Sequence, residues 1–101
     1  MTEVWTHGRW IVKSGREDEF VAAWREFAEW SAESFPGGRG MLFRDREEES
    51  RFVSFGPWPS MEAAQEWRAS AGFQERVGRI RELLDGFEPY LLDPVVVVGA
   101  W

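Results

Sequence analysis

Cysteine is absent from this chain, and histidine and tyrosine each occur once. Without thiols there is no disulfide, no thiolate nucleophile and no cysteine-ligated metal. That composition is compatible with the cytoplasm, where we expect the protein to reside. A lone histidine makes His7 the one side chain whose unperturbed pKa suits proton transfer near neutrality. Basic residues are scarce as well. Twelve Lys and Arg against 18 Asp and Glu leave a net charge of −6, the wrong sign for nucleic acid or an anionic membrane surface. Neither is expected as a partner.

No apolar run approaches the roughly 20 residues that span a bilayer. No basic start precedes an apolar stretch, so a secretory signal is not expected either. Serine and histidine show no triad spacing. Gly37-Gly38-Arg39-Gly40 has neither the length nor the spacing of a phosphate loop. Glu47-Glu48-Glu49 reads as a wet turn rather than a cation site. No metal is expected.

What the chain has in excess is apolar bulk. Among 101 residues, 44% are hydrophobic and 16% aromatic, including seven Trp and eight Phe. One domain spanning residues 1–101 is the natural unit at this length, and folding it removes only about two-thirds of its surface from water. So many rings predict a ring-lined pocket, a face covered by a partner, or both.

Val4 to Lys13 has strand composition. Alternation puts Trp5, His7, Arg9 and Ile11 on one face and Val4, Thr6, Trp10 and Val12 on the other. Neither set is plainly solvent-like, which predicts a strand covered on both sides. Ser14-Gly-Arg-Glu17 fits a capping box. Phe20, Ala23, Trp24, Phe27 and Ser31 then recur at helical spacing, predicting a helix over Glu17 to Glu33 that Phe35-Pro36-Gly37-Gly38 stops.

Arg39 to Arg46 predicts a second strand, and Glu47 to Ser50 a hairpin turn into a third that starts at Arg51. Its residues Phe52 to Phe55, apolar or small, precede Pro57 and Pro59, which should end it, and Ser60 is a good helix cap. Met61, Ala64, Trp67 and Ala71 share a helix face; Gly72 interrupts, and Phe73, Val77, Ile80 and Leu84 resume. This predicts one broken helix or two in series, closed at Asp85-Gly86. Tyr90 to Leu92 and Val95 to Val98 should form a last strand, the valines buried on both faces. Gly99-Ala100-Trp101 either packs on a partner or frays.

The order β-α-β-β-α-β predicts an α+β, ferredoxin-like sandwich with both helices on one face of a four-stranded antiparallel sheet. Its other face, rich in apolar side chains, is best covered by a second copy in a homodimer.

This layout, the hairpin into FVSFGPWPSMEAAQEW and the segment Trp67-x-x-Ser70-x-x-Phe73 resemble the antibiotic biosynthesis monooxygenase superfamily. Its members are dimeric α+β barrels, two ferredoxin-like subunits packed sheet to sheet. The resemblance implies a ligand pocket within each subunit, between helices and sheet. The superfamily includes cofactor-free quinone-forming monooxygenases and haem-degrading ones. The haem branch uses an asparagine on the first strand, a tryptophan on the second helix and a ligand histidine ten residues on. The corresponding positions here are His7, Trp67 and Val77. Valine offers iron no lone pair, which leaves haem degradation the third-ranked expectation.

The leading expectation, on that resemblance, is a cofactor-independent monooxygenase acting on a small aromatic or phenolic, polyketide-like compound. His7 is its candidate base, and Trp24, Phe27, Arg44, Trp58, Trp67 and Phe73 are its candidate substrate-binding residues. Arg9 and Arg44 are candidates to hold an anionic oxygen. The alternative is a non-catalytic small-molecule-binding or structural dimer. In that case Trp24, Phe27 and Trp67 are core, Trp58 plugs one end of the sheet, and His7 is a satisfied structural histidine.

Overall fold

A computed structural model of the chain describes residues 3–99, so Ala100 and Trp101 of the expected tail lie outside the described residues. Seven elements follow in order: β1 (Val4–Val12), α1 (Glu17–Ser34), β2 (Met41–Arg44), β3 (Arg51–Trp58), α2 (Met61–Ala69), α3 (Ala71–Arg81) and β4 (Leu84–Leu92). The strands make one sheet in the order β2-β3-β1-β4, with every neighbouring pair antiparallel. The fold is therefore the expected ferredoxin-like α+β arrangement, its second helix split in two. Among the described residues, no helix is long and apolar enough to cross a membrane.

Strand alternation decides which side chains meet the helices. In β1, Val4, Trp10 and Val12 are buried, and they join Phe52 and Trp58 of β3 in the core. Phe20 and Phe27 of α1, Ala64 and Trp67 of α2, and Val77 and Ile80 of α3 close over them. Trp10 is fixed in this layer by stacking on Phe87 at 4.2 Å and by donating its Nε1–H to Ser54 Oγ at 2.9 Å. A buried indole N–H needs such an acceptor, and β3 supplies one on the same face.

Among the described residues, the opposite face is bare. Ile11, Met41, Phe43, Tyr90 and Leu92 are exposed there, with Phe43 showing 49% of its surface. Within the chain, β1 is thus covered on one side rather than both.

Ser70 explains the split helix. Its backbone is extended (φ −70°, ψ 148°). Its hydroxyl donates to Trp67 O at 2.8 Å and accepts from Phe73 N at 3.2 Å. One serine thus closes α2 and caps α3, so the break falls at Ser70 rather than Gly72. Gly72 serves packing instead, because a Cβ there would run into the Trp30 ring.

Other boundaries differ from the sequence-based expectations. The cap of α1 is Arg16, without a side-chain bond, and Glu17 Oε1 accepts from Gly15 N rather than completing a box with Ser14. The second strand shrinks to Met41–Arg44. β3 runs on through Pro57 to Trp58. Its pairing with β2 stops at Phe55, so beyond that point β3 is an edge where a missing N–H costs no ladder bond. The helix expected to close at Asp85-Gly86 ends at Arg81, and both residues belong to β4. The valine run is the largest correction. Val95 to Val98 lie outside any strand and are 62–89% exposed. β4 leaves its partner after Leu92 pairs with Trp5, the second residue of β1, so no ladder remains for the valines to join.

Candidate functional site

The space between sheet and helices is shaped by α1 and α2. Phe27 stacks on Trp67 at 5.6 Å, and Phe73 meets both rings edge-on, at 5.6 Å and 4.7 Å. This cluster is held by polar bonds inside the core. Trp67 Nε1 donates to Ser31 Oγ at 2.8 Å, and that hydroxyl donates to Phe27 O at 2.8 Å. Both of these buried donors are met. The bond orients the indole and ties α2 to α1.

Two cavities adjoin across this cluster and share Thr6, Phe27, Ser54 and Trp67 in their walls. The smaller, about 50 Å³, is also lined by Trp24, Ala28, Ser31, Arg39, Gly40 and Trp58. The larger, about 230 Å³, is lined in addition by Trp10, Phe73, Val77 and Phe87, with Arg68, Gln74 and Arg81 among its polar members. Among the described residues, no carboxylate lines either. Arg81 leans over the Phe87 ring at 6.0 Å. The environment is therefore apolar and ring-walled with positive charge along it, a setting in which an anionic, flat ligand is favoured over a cationic one.

The sequence-based candidates divide. Trp24, Phe27, Trp58, Trp67 and Phe73 are brought together around these cavities. Arg44 is not. It lies over the Phe52 ring at 4.9 Å at the hairpin end of the sheet and borders the acidic turn. Arg9 pairs with Glu88 at 3.7 Å on the bare face.

His7 was expected as the pocket's polar member, and its ring points the other way. As an odd-numbered residue of β1 it projects from the bare face, stacked on Phe55 at 4.6 Å and Tyr90 at 5.7 Å. His7 borders the larger cavity, but its ring does not share the helix-side layer of Gly8 and Trp10. Its Nδ1 lies 3.0 Å from Ser54 O. A carbonyl can only accept, so Nδ1 carries the proton and Nε2 holds the lone pair when the ring is neutral.

Sequence reasoning missed Arg39, Gly40, Thr6 and Ser31. Gly40 sits against Trp24, where a Cβ would come within 3.2 Å of Cη2. The Gly37–Gly40 run was readable only as a failed phosphate loop. Ser31 falls in the apolar stripe of α1, four residues beyond Phe27, and that spacing is the available signal for its back-bond. Val77, at the position of the haem branch's ligand, is buried core. Among the described residues, no group of three or more carboxylates or histidines is placed to hold a metal ion.

Comparison with known proteins agrees with this architecture. SnoaB from Streptomyces nogalater, a cofactor-independent oxygenase, is 25% identical; a mutant structure superposes with a TM-score of 0.91, covering 99% of this chain and 100% of that one. A second SnoaB structure gives 0.89 over the same span. Rv0793 from Mycobacterium tuberculosis, 17% identical, gives 0.83 over 97% of this chain and 100% of that one, a likeness of fold. No curated protein sequence matches. Residues 4–79 match the family described as antibiotic biosynthesis monooxygenase, and the chain belongs to that family.

Proposed function

We propose that this protein is a cofactor-independent monooxygenase of the cytoplasm that oxidises a small aromatic or phenolic compound between the sheet and the helices. The ring-walled cavity of about 230 Å³, with Arg68 and Arg81 in its lining and no carboxylate among the described residues, is the observation that carries it. The 25% identity to an oxygenase across the whole fold supports it. In such a reaction an activated ring CH2 loses a proton to give a carbanion delocalised onto its oxygen. That carbanion adds dioxygen. One oxygen atom stays as the new carbonyl, and the other leaves as water, so CH2 and O2 become C=O and H2O.

The residues in hand serve this chemistry by binding and by charge. Phe27, Trp67 and Phe73 wall a flat ring and exclude water, and the guanidinium groups favour the ionised substrate over its neutral form. Because the His7 ring projects from the opposite face, proton removal is assigned to solvent and to that electrostatic bias. The same position of His7 favours a second function, binding of a small aromatic without turnover.

A second copy of the chain covers the bare sheet face in this proposal, burying Phe43, Phe55, His7 and Tyr90. The test is dioxygen uptake with anthrone and naphthol, followed by absorbance of the quinone product. Uptake that exceeds the uncatalysed rate and falls in Trp67→Ala is the expected result. Binding of these compounds with no uptake leaves the non-catalytic function in its place.

A further inference from the structure

We propose that the small cavity beside Trp24 is a subsite for one oxygen atom of the aromatic ligand, and that the Trp24 indole N–H is the donor that binds it. The inference rests on the proposed function for its ligand class, a phenolate or ketone oxygen carried on a ring.

Two buried indoles of this fold have their acceptors inside the core. Trp10 donates to Ser54 Oγ and Trp67 to Ser31 Oγ. Trp24 Nε1 is different: among the described residues it is the one buried side-chain polar atom with no hydrogen-bond partner. A donor withdrawn from water and given no acceptor is costly, so a ligand oxygen brought to it is favoured. Trp24 lines the 50 Å³ cavity, and Gly40 beside it has no side chain to fill that space.

The rest of the wall narrows the choice of acceptor. Thr6 already donates to Gly56 O at 3.1 Å and Ser31 to Phe27 O, so neither hydroxyl has a proton to spare. Arg39 borders the same cavity and takes part in no ion pair among the described residues. An N–H together with a cationic residue on the border favours an anionic or strongly polarised oxygen. A single water needs roughly 10–15 Å³ of free space, so the cavity admits a substituent of a few atoms and no ring. The ring system itself belongs in the larger cavity, across the Phe27–Trp67 stack. Trp67, which the family resemblance singled out, has its N–H engaged by Ser31 and supplies a wall instead of a donor.

The indole region of a ¹H–¹⁵N NMR spectrum of the full chain tests this directly, with each tryptophan assigned through the backbone. Naphthol should move the Trp24 indole cross-peak downfield and leave that of Trp67 in place. Naphthalene, which has the rings without the oxygen, should not reproduce the downfield shift. Trp24→Phe, which keeps the packing and removes the N–H, should weaken naphthol binding roughly fivefold to tenfold. A Trp24 cross-peak that naphthol moves no further than naphthalene does, or that stays still while Trp67 shifts, overturns the proposal whether or not the variant folds. Oxygen uptake is read separately. Uptake with an unmoved Trp24 cross-peak sinks only the subsite; a shifted cross-peak without uptake sinks only the oxygenase.

Discussion

Ser31 and Trp67 meet at 2.8 Å through a bond that lies wholly inside the core, hydroxyl oxygen to indole nitrogen. It fixes the ring that divides the two cavities. Ser31→Ala leaves the indole N–H buried without an acceptor, at a cost of about 1–3 kcal/mol. Urea denaturation should show that loss, and Trp67 fluorescence should change with it. A variant as stable as the parent would mean that the indole finds another acceptor.

His7→Ala separates the two faces of the sheet. With the ring stacked between Phe55 and Tyr90 on the bare side, the substitution should leave dioxygen uptake per folded subunit within about twofold. The same variant should weaken self-association. A drop in kcat of about a hundredfold, the scale of losing a general base, would return the histidine to the chemistry.

Phe43 is the most exposed ring of that bare face. Phe43→Glu places a charge where the second copy should pack, and a buried unpaired carboxylate is strongly disfavoured. Sedimentation equilibrium should find the parent dimeric and the variant monomeric. A parent that stays monomeric at micromolar concentration would remove the homodimer.

Two glycines of α3 predict opposite signs. Gly72→Ala drives a methyl into Trp30 and should cost about 1–3 kcal/mol by overpacking. Gly78 faces open space. Gly78→Ala should therefore stabilise by about 0.5–1 kcal/mol through helix propensity and a less flexible unfolded chain. Paired thermal melts decide both.

Acid stability should depend on the start of α1. The Ser50 hydroxyl donates to Glu17 Oε2 at 2.5 Å and the Gly15 N–H to Oε1 at 3.0 Å, which holds the Glu17 carboxyl below its ordinary 4.5. Glu19 is held low as well, by its hydrogen bonds from Arg16. Their contribution is therefore complete above the ordinary value and is lost as pH falls through the lowered one. In Glu17→Gln, the decline in urea midpoint below about pH 4.5 should be shallower. An unchanged slope would place the acid sensitivity elsewhere.

The fold was legible where periodicity and pairing agree. The stripe Phe20, Ala23, Trp24, Phe27 set α1, and the short charged turn set the β2–β3 hairpin. Alternation in β1 also grouped His7 correctly with Trp5, Arg9 and Ile11. What alternation could not say is which group the helices cover, and that alone decides whether the histidine meets the cavity. The valines misled for a related reason. A β-forming run becomes a strand only beside a partner, and the sheet's length is set by β1 rather than by valine. Of the site, the aromatic walls were readable from helix spacing. Arg39, Thr6 and Ser31 were not, because small polar groups acquire their roles only when distant segments converge.

The joint at Ser70 has a consequence for how the two arms of the split helix respond together. Because one hydroxyl finishes one helix and begins the next, a Ser70→Ala change withdraws a partner from Trp67 O and from Phe73 N at once. The rings on either side of the joint are therefore held or released as a pair.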